Sequence, residues 1–206
     1  MHYNFSIDYY MEGIMNFKVT VGLSNKHVHL CKEHIDILFG EGHVLTPIKD
    51  LSQPGQFACD EKVDLVGPKR TIKGVRILGP ARKETQVEIS LADGFTLGIN
   101  GLPIRDSGKT EGTPGIKLVG PKGEVELDKG VIAASRHIHM HTSDAEKYGL
   151  KDKDLVSVKV GGLRGLVFDN VLIRVNEDYA LDMHLDVEEG NAAGLKNGDE
   201  VEVIMN

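Results

Sequence analysis

Four histidines of this chain share one spacing: His27 with His29, and His137 with His139. In a β-strand, residues i and i+2 point to the same face. Each pair can therefore present two imidazoles to a single ion. Neutral imidazole is a common zinc ligand, and a catalytic zinc keeps three protein ligands and one open position. A lone His-x-His motif is a weak signal, because most such pairs are hydrogen-bonded or exposed. A second copy, with a matched third ligand, changes that reading.

Internal repetition supplies the third ligand. Ser-Asn-Lys-His-Val-His-Leu at 24–30 recurs as Ser-Arg-His-Ile-His-Met at 135–140. Lys73–Leu78 resembles Asp169–Arg174, and at the same offset Gln86–Ile89 lies opposite Asp182–Leu185. Glu88 and His184 thus hold equivalent positions, each on an apolar stretch where a polar group needs a partner. The expected metal sets are His27, His29 and Glu88 for one ion, and His137, His139 and His184 for the other. Cys31 and His141 continue the alternation, but each sits beside a helix start and is assigned to packing or solvent. His2, His34 and His43 show no partner pattern.

Arg82 adds an anion receptor. It follows a Gly-Pro turn and precedes Glu88 by an even number of residues, so an unbroken strand would turn both toward one cavity. Its planar guanidinium matches the oxygens of a phosphate; the alternative is a solvated arginine.

These residues need a strand-rich scaffold. The chain has 206 residues, 40% of them apolar, with 24 Gly and 7 Pro. Phe17–Leu23 alternates as a strand does. Val63–Val66, Ile72–Leu78 and Gln86–Leu91 are short and β-branched, bounded by Pro-Gly or Gly-Pro turns. Cys31–Phe39 has helical spacing with Gly40 as its stop. Ser143 and Glu146 resemble a capping box, with Gly149 closing that helix. A smaller echo matches Gly149–Val158 to Gly194–Val203. The expected fold is mainly β: two tandem, related small β-barrels with a few short helices and the metal site between them.

Net charge is −7, which argues against a nucleic-acid partner. Apolar runs are too short for a bilayer. Two cysteines, Cys31 and Cys59, make no disulfide framework. Residues 1–16 read as a flexible extension, at most a weak amphipathic helix over Ile7–Ile14, without the pattern of a signal peptide.

The sequence resembles the PduL-type phosphotransacylases, or phosphate propanoyltransferases. The matching stretches are Val21–Leu30, Leu51–Ala58, Leu78–Ile89 with its Gly-Pro-Ala-Arg-Lys-Glu-Thr-Gln core, Gly112–Gly115, Ala133–Met140 and Leu181–Ala193. The resemblance implies two connected β-barrels, two zinc ions held by the six residues above, phosphate binding at Arg82, and a homodimer. It departs at Lys26, where the family usually has arginine, and over Arg105–Glu111. The expected division is a first barrel at 25–134 and a second from 17–24 plus 135–206. Coenzyme A would be a substrate: Gly22, Leu23 and Ser24 would admit its pantetheine arm, and Lys62 and Lys69 would meet its phosphates. The reaction implied is acyl-CoA plus phosphate to acyl phosphate plus CoA, with propanoyl-CoA or acetyl-CoA as acyl donor. The expected location is the cytoplasm; the N-terminal segment matches a microcompartment-targeting helix poorly. Two rival readings use the same residues: a two-metal hydrolase of thioesters or phosphoesters, and a non-catalytic zinc-binding barrel.

Overall fold

The computed structural model describes residues 16–205; the expectations for 1–15 lie outside them. Among the described residues, fifteen strands and four short helices follow in order. They are β1 (Phe17–Ser24), β2 (His27–His29), α1 (Lys32–Phe39), β3 (Pro47–Asp50), β4 (Phe57–Val66), β5 (Thr71–Gly79), β6 (Gln86–Glu88), α2 (Leu91–Leu97), β7 (Ile104–Arg105) and β8 (Ile116–Val119). Then come β9 (Glu124–Leu127), β10 (Val131–Ala134), β11 (His137–Met140), α3 (Thr142–Tyr148), β12 (Leu155–Val160), β13 (Leu166–Val175), β14 (Asp182–Asp186), α4 (Val187–Ala193) and β15 (Glu200–Ile204). Among the described residues, no helix is long and apolar enough to cross a membrane.

Alternation builds the strands. Along β1, Phe17, Val19 and Val21 are buried while Lys18 and Thr20 face out, as the period of two requires. The strands form a closed six-stranded barrel, in the order β1-β14-β11-β13-β12-β15, and a nine-stranded curled sheet running β7-β10-β6-β2-β5-β4-β8-β9, with β3 against β4. Each has its own core. Val28, Leu30, Leu38, Leu65, Ile77 and Leu118 fill the curled sheet; Ile138, Met140, Ile173, Met183 and Leu185 fill the barrel. The mainly β architecture with metal-like clusters between two related units is as expected.

The repeat is written into the strand pairing. In the curled sheet, β2 runs parallel to β5, with His27 opposite Arg76, and antiparallel to β6, with His27 opposite Glu88. In the barrel, β11 runs parallel to β13, with His137 opposite Leu172, and antiparallel to β14, with His137 opposite His184. Strands flanking the two units are exchanged. β1, which precedes β2 in sequence, pairs with β14 and β15 of the barrel. β10, which precedes β11, pairs with β6 of the curled sheet.

Two local expectations are corrected. The strand expected over Gln86–Leu91 ends at Glu88, because Ser90 caps a new helix: its side chain accepts from the Asp93 amide, completing a capping box. Asp186 and Glu189 repeat that box at α4. The start of α3 is not a Ser143 box; His141 is the N-cap, its Nδ1 accepting from the Ser143 amide at 3.1 Å. α2, α3 and α4 all end on left-handed glycines, Gly98, Gly149 and Gly194, a conformation that a side chain disfavours.

Candidate active site

β2 is buried on both faces. Val28 enters the core, while His27 and His29 turn to the other side, at 6% and 2% exposure. β6 runs beside it and brings Glu88 to the same side. One ligand atom from each of His27, His29 and Glu88 lies within 4.8 Å of the others, and the same holds for His137, His139 and His184. Both sets line one cavity of about 320 Å³, together with Arg82, Ser107, Arg174 and Tyr179. All six expected ligands and Arg82 therefore share one space.

The hydrogen bonds around the rings prepare them for a cation. His27 Nδ1–H donates to the Asn25 carbonyl at 2.8 Å, and His137 Nδ1–H donates to the Ser135 carbonyl at 2.8 Å. Each bond leaves Nε2 with a free lone pair, the orientation seen in outer-shell support of metal-bound histidine. His27 Nε2 then stands 3.4 Å from Glu88 Oε2, and His29 Nε2 stands 4.0 Å from Glu88 Oε1. Burial opposes charge on all three. Even so, His27 and Glu88 favour each other's charged forms: Glu88 is held well below the usual carboxylate range, and His27 is raised. Burial, then the neighbouring His27, drives His29 well below its ordinary value.

The second set has no carboxylate ligand. Burial and His184 push His137 down to about 4, and burial and His137 push His139 down to about 2. These rings are neutral at pH 7, the form that binds metal. The fit to a cation is visible in one defect. His137 Nε2 and His139 Nε2 approach to 3.0 Å, and His139 Nδ1 is the one buried side-chain polar atom among the described residues without a partner. Whichever nitrogen of His139 carries the proton, the set retains an unmatched buried atom or two facing lone pairs. A cation between the rings relieves either arrangement.

Arg82 reaches the cavity by a route other than the expected strand. Residues 80–85 form an irregular connection, tied down where the Arg82 amide donates to the Leu30 carbonyl at 2.9 Å. Its side chain is half-buried, and burial lowers its pKa against the pull of Glu88; guanidinium stays charged regardless. Nη1 donates to Ser107 Oγ at 3.2 Å, and Ser107 Oγ donates to Glu88 Oε1 at 2.7 Å. Most of the guanidinium donors are thus left for a ligand.

Residues 20–196 match the family model for phosphate propanoyltransferase. The chain belongs to the phosphate propanoyltransferase family. Curated relatives carrying that name include one from Thermotoga maritima, 59% identical over 90% of this chain and 89% of its own. Another, from Clostridioides difficile, is 54% identical over 90% and 88%, and one from Rhodopseudomonas palustris is 54% identical over 93% and 84%. The family is one of acyltransferases.

The lysine that departs from the family pattern forms an ion pair here. Lys26 Nζ lies 3.3 Å from Asp93, and the repeat-equivalent Arg136 Nη1 lies 2.9 Å from Glu189. Gly22, Leu23 and Ser24 line a second pocket of about 380 Å³, which shares Leu51 and His184 with the central cavity. Lys62 and Lys69 are not brought to either: Lys62 lines a groove beside Phe39 and Val119, and Lys69 lies over the Phe95 ring. Cys31 sits at the N-cap position of α1 without a side-chain cap bond, His141 caps α3, His34 bonds Thr85 and His43 bonds Glu61. Sequence reasoning missed Arg174, Tyr179 and Ser107. Arg174 stands opposite His139 in the β11–β13 register, the place Leu78 holds in the other copy, so the repeat located the position without its chemistry.

Proposed function

We propose that this chain interconverts a short-chain acyl-CoA, propanoyl-CoA or acetyl-CoA, and phosphate with acyl phosphate and CoA, at a centre of two divalent ions, zinc by preference. The observation that carries this reading is the convergence of two three-residue donor sets and two arginines on one cavity of about 320 Å³. His27, His29 and Glu88 would hold one ion, and His137, His139 and His184 the other. The donors are nitrogen and oxygen without cysteine, unlike most closed structural zinc sites. Bound ions of this kind supply Lewis acidity to a thioester oxygen and affinity for a thiolate.

Arg82 binds the phosphate through its fork. Phosphate is already an anion, so its attack on the thioester carbon needs no strong base. As the new C–O bond forms, the C–S bond breaks and the sulfur leaves with the electron pair. Arg174 adds a second positive wall. Gly22, Leu23 and Ser24 border the pocket that suits the pantetheine arm, leaving Lys62 and Lys69 outside the reacting centre. Sheet membership supports a first domain at 25–134 and a second from 17–24 plus 135–206. We read the protein as a homodimer, as the resemblance implies, testable by sedimentation, and as cytoplasmic.

The test is thiol release from propanoyl-CoA, with and without phosphate. Phosphate-dependent release that is lost with a chelator and regained with zinc supports the reading. Equal release without phosphate makes the protein a hydrolase, and no release makes it a binding module.

A further inference from the structure

Each half of the site contains one carboxylate, but at different depths. In the first set it is Glu88 itself, supported by Gln86, whose Nε2 donates to Glu88 Oε1 at 2.6 Å. In the second set His184 takes the place of Glu88, and the place of Gln86 is taken by Asp182. Asp182 Oδ2 lies 3.0 Å from His184 Nε2. The two halves have exchanged which position is the acid.

Asp182 is otherwise an expensive residue. It is 4% exposed, and among the described residues its one ion-pair contact is His184. A buried carboxylate needs a compensating partner. The neighbouring strand makes room for this pair. Gly22 faces His184 in the β1–β14 register, and a Cβ there would stand 3.1 Å from both Asp182 Oδ2 and His184 Cδ2.

On the reading of the site as a two-ion centre, we infer that Asp182 is the positioning residue of the second set. It accepts the Nε2 proton of His184 and so leaves Nδ1 as the free lone pair of that ring. It also supplies the second half with a carboxyl group beside the ligands, where Glu88 supplies the first as a ligand. His184 would then use the opposite nitrogen from His27 and His137, whose Nδ1 protons are committed to backbone carbonyls. The all-histidine set therefore depends on an acid that does not touch the ion.

Zinc titration against a competing chelator tests this, comparing wild type with Asp182→Asn and Gln86→Ala. Loss of an outer-shell partner typically weakens a site by about 10- to 100-fold. Asp182→Asn should weaken one of two zinc sites by about that factor and leave the other, while the zinc-free protein melts as wild type does. Gln86→Ala should weaken the site that Asp182→Asn leaves alone. Unchanged affinities in Asp182→Asn, or a loss of zinc-free stability without a change in affinity, overturns the assignment. Nitrogen-15 spectroscopy of the zinc-free wild type gives a second reading that does not depend on a variant. His184 should be the Nε2–H tautomer, and the Nδ1–H tautomer overturns the assignment. Fewer than two zinc sites in wild type would instead defeat the two-ion reading on which it rests.

Discussion

Replacing Arg82 with lysine keeps a positive charge and removes the fork. In the structure Arg82 gives one side-chain hydrogen bond, Nη1 to Ser107 Oγ at 3.2 Å, so its remaining donors are available to phosphate. A hydrogen bond to a charged group contributes about 1.5–3 kcal/mol. At about 1.4 kcal/mol per decade, its loss lowers catalytic efficiency by roughly ten- to a hundredfold. The change should fall on phosphate. Steady-state thiol release, with phosphate varied at saturating propanoyl-CoA, should give a raised KM for phosphate in Arg82→Lys, with metal content and thermal stability unaltered. An unchanged KM and kcat would remove Arg82 from phosphate binding. Loss of metal would mean that Arg82 acts through Ser107 on Glu88 instead.

Three other outcomes follow from the same geometry. Glu88→Ala should empty the set of His27 and His29, and His184→Ala that of His137 and His139; crystals of both variants with two full, unshifted metals would refute the pairing. Leu65→Ala opens a cavity at a fully buried core position and should cost about 2–5 kcal/mol in urea unfolding; a loss under about 1 kcal/mol would mean that the site collapses around the gap. Glu61 is held below its ordinary 4.5 because hydrogen bonds from Thr46 and His43 outweigh burial. A depressed carboxyl stabilises the fold above its unfolded value and loses that contribution as pH falls through the folded value. Glu61→Gln should therefore be less stable than wild type at pH 7, with the gap closing below about pH 4.5; a gap independent of pH would contradict this.

The ligand positions were legible because each depends on a short-range period plus one offset. His27 and His29 share a face by strand geometry, and Glu88 and His184 follow from the repeat. Strand parity does not carry Arg82 to the cavity, because segment 80–85 is irregular; its tie to Leu30 is a long-range contact with no local signature. α2 and α4 have little apolar periodicity, and what starts them is Ser90 with Asp93 and Asp186 with Glu189. Those capping pairs were present to be read. Arg174, Tyr179, Ser107 and Asp182 are single polar residues whose meaning comes only from what the sheets bring beside them.

The exchange of flanking strands has a consequence for how the chain is made. β1 emerges early in synthesis, yet Val21 pairs with Met183 and Phe17 with Val203. Until β14 and β15 have left the ribosome, this apolar strand with unpaired backbone edges has no native neighbour. Pairings of such separation are slow to form, and exposed edges invite association with other chains. The barrel cannot close before β15 arrives to join β1 and β12.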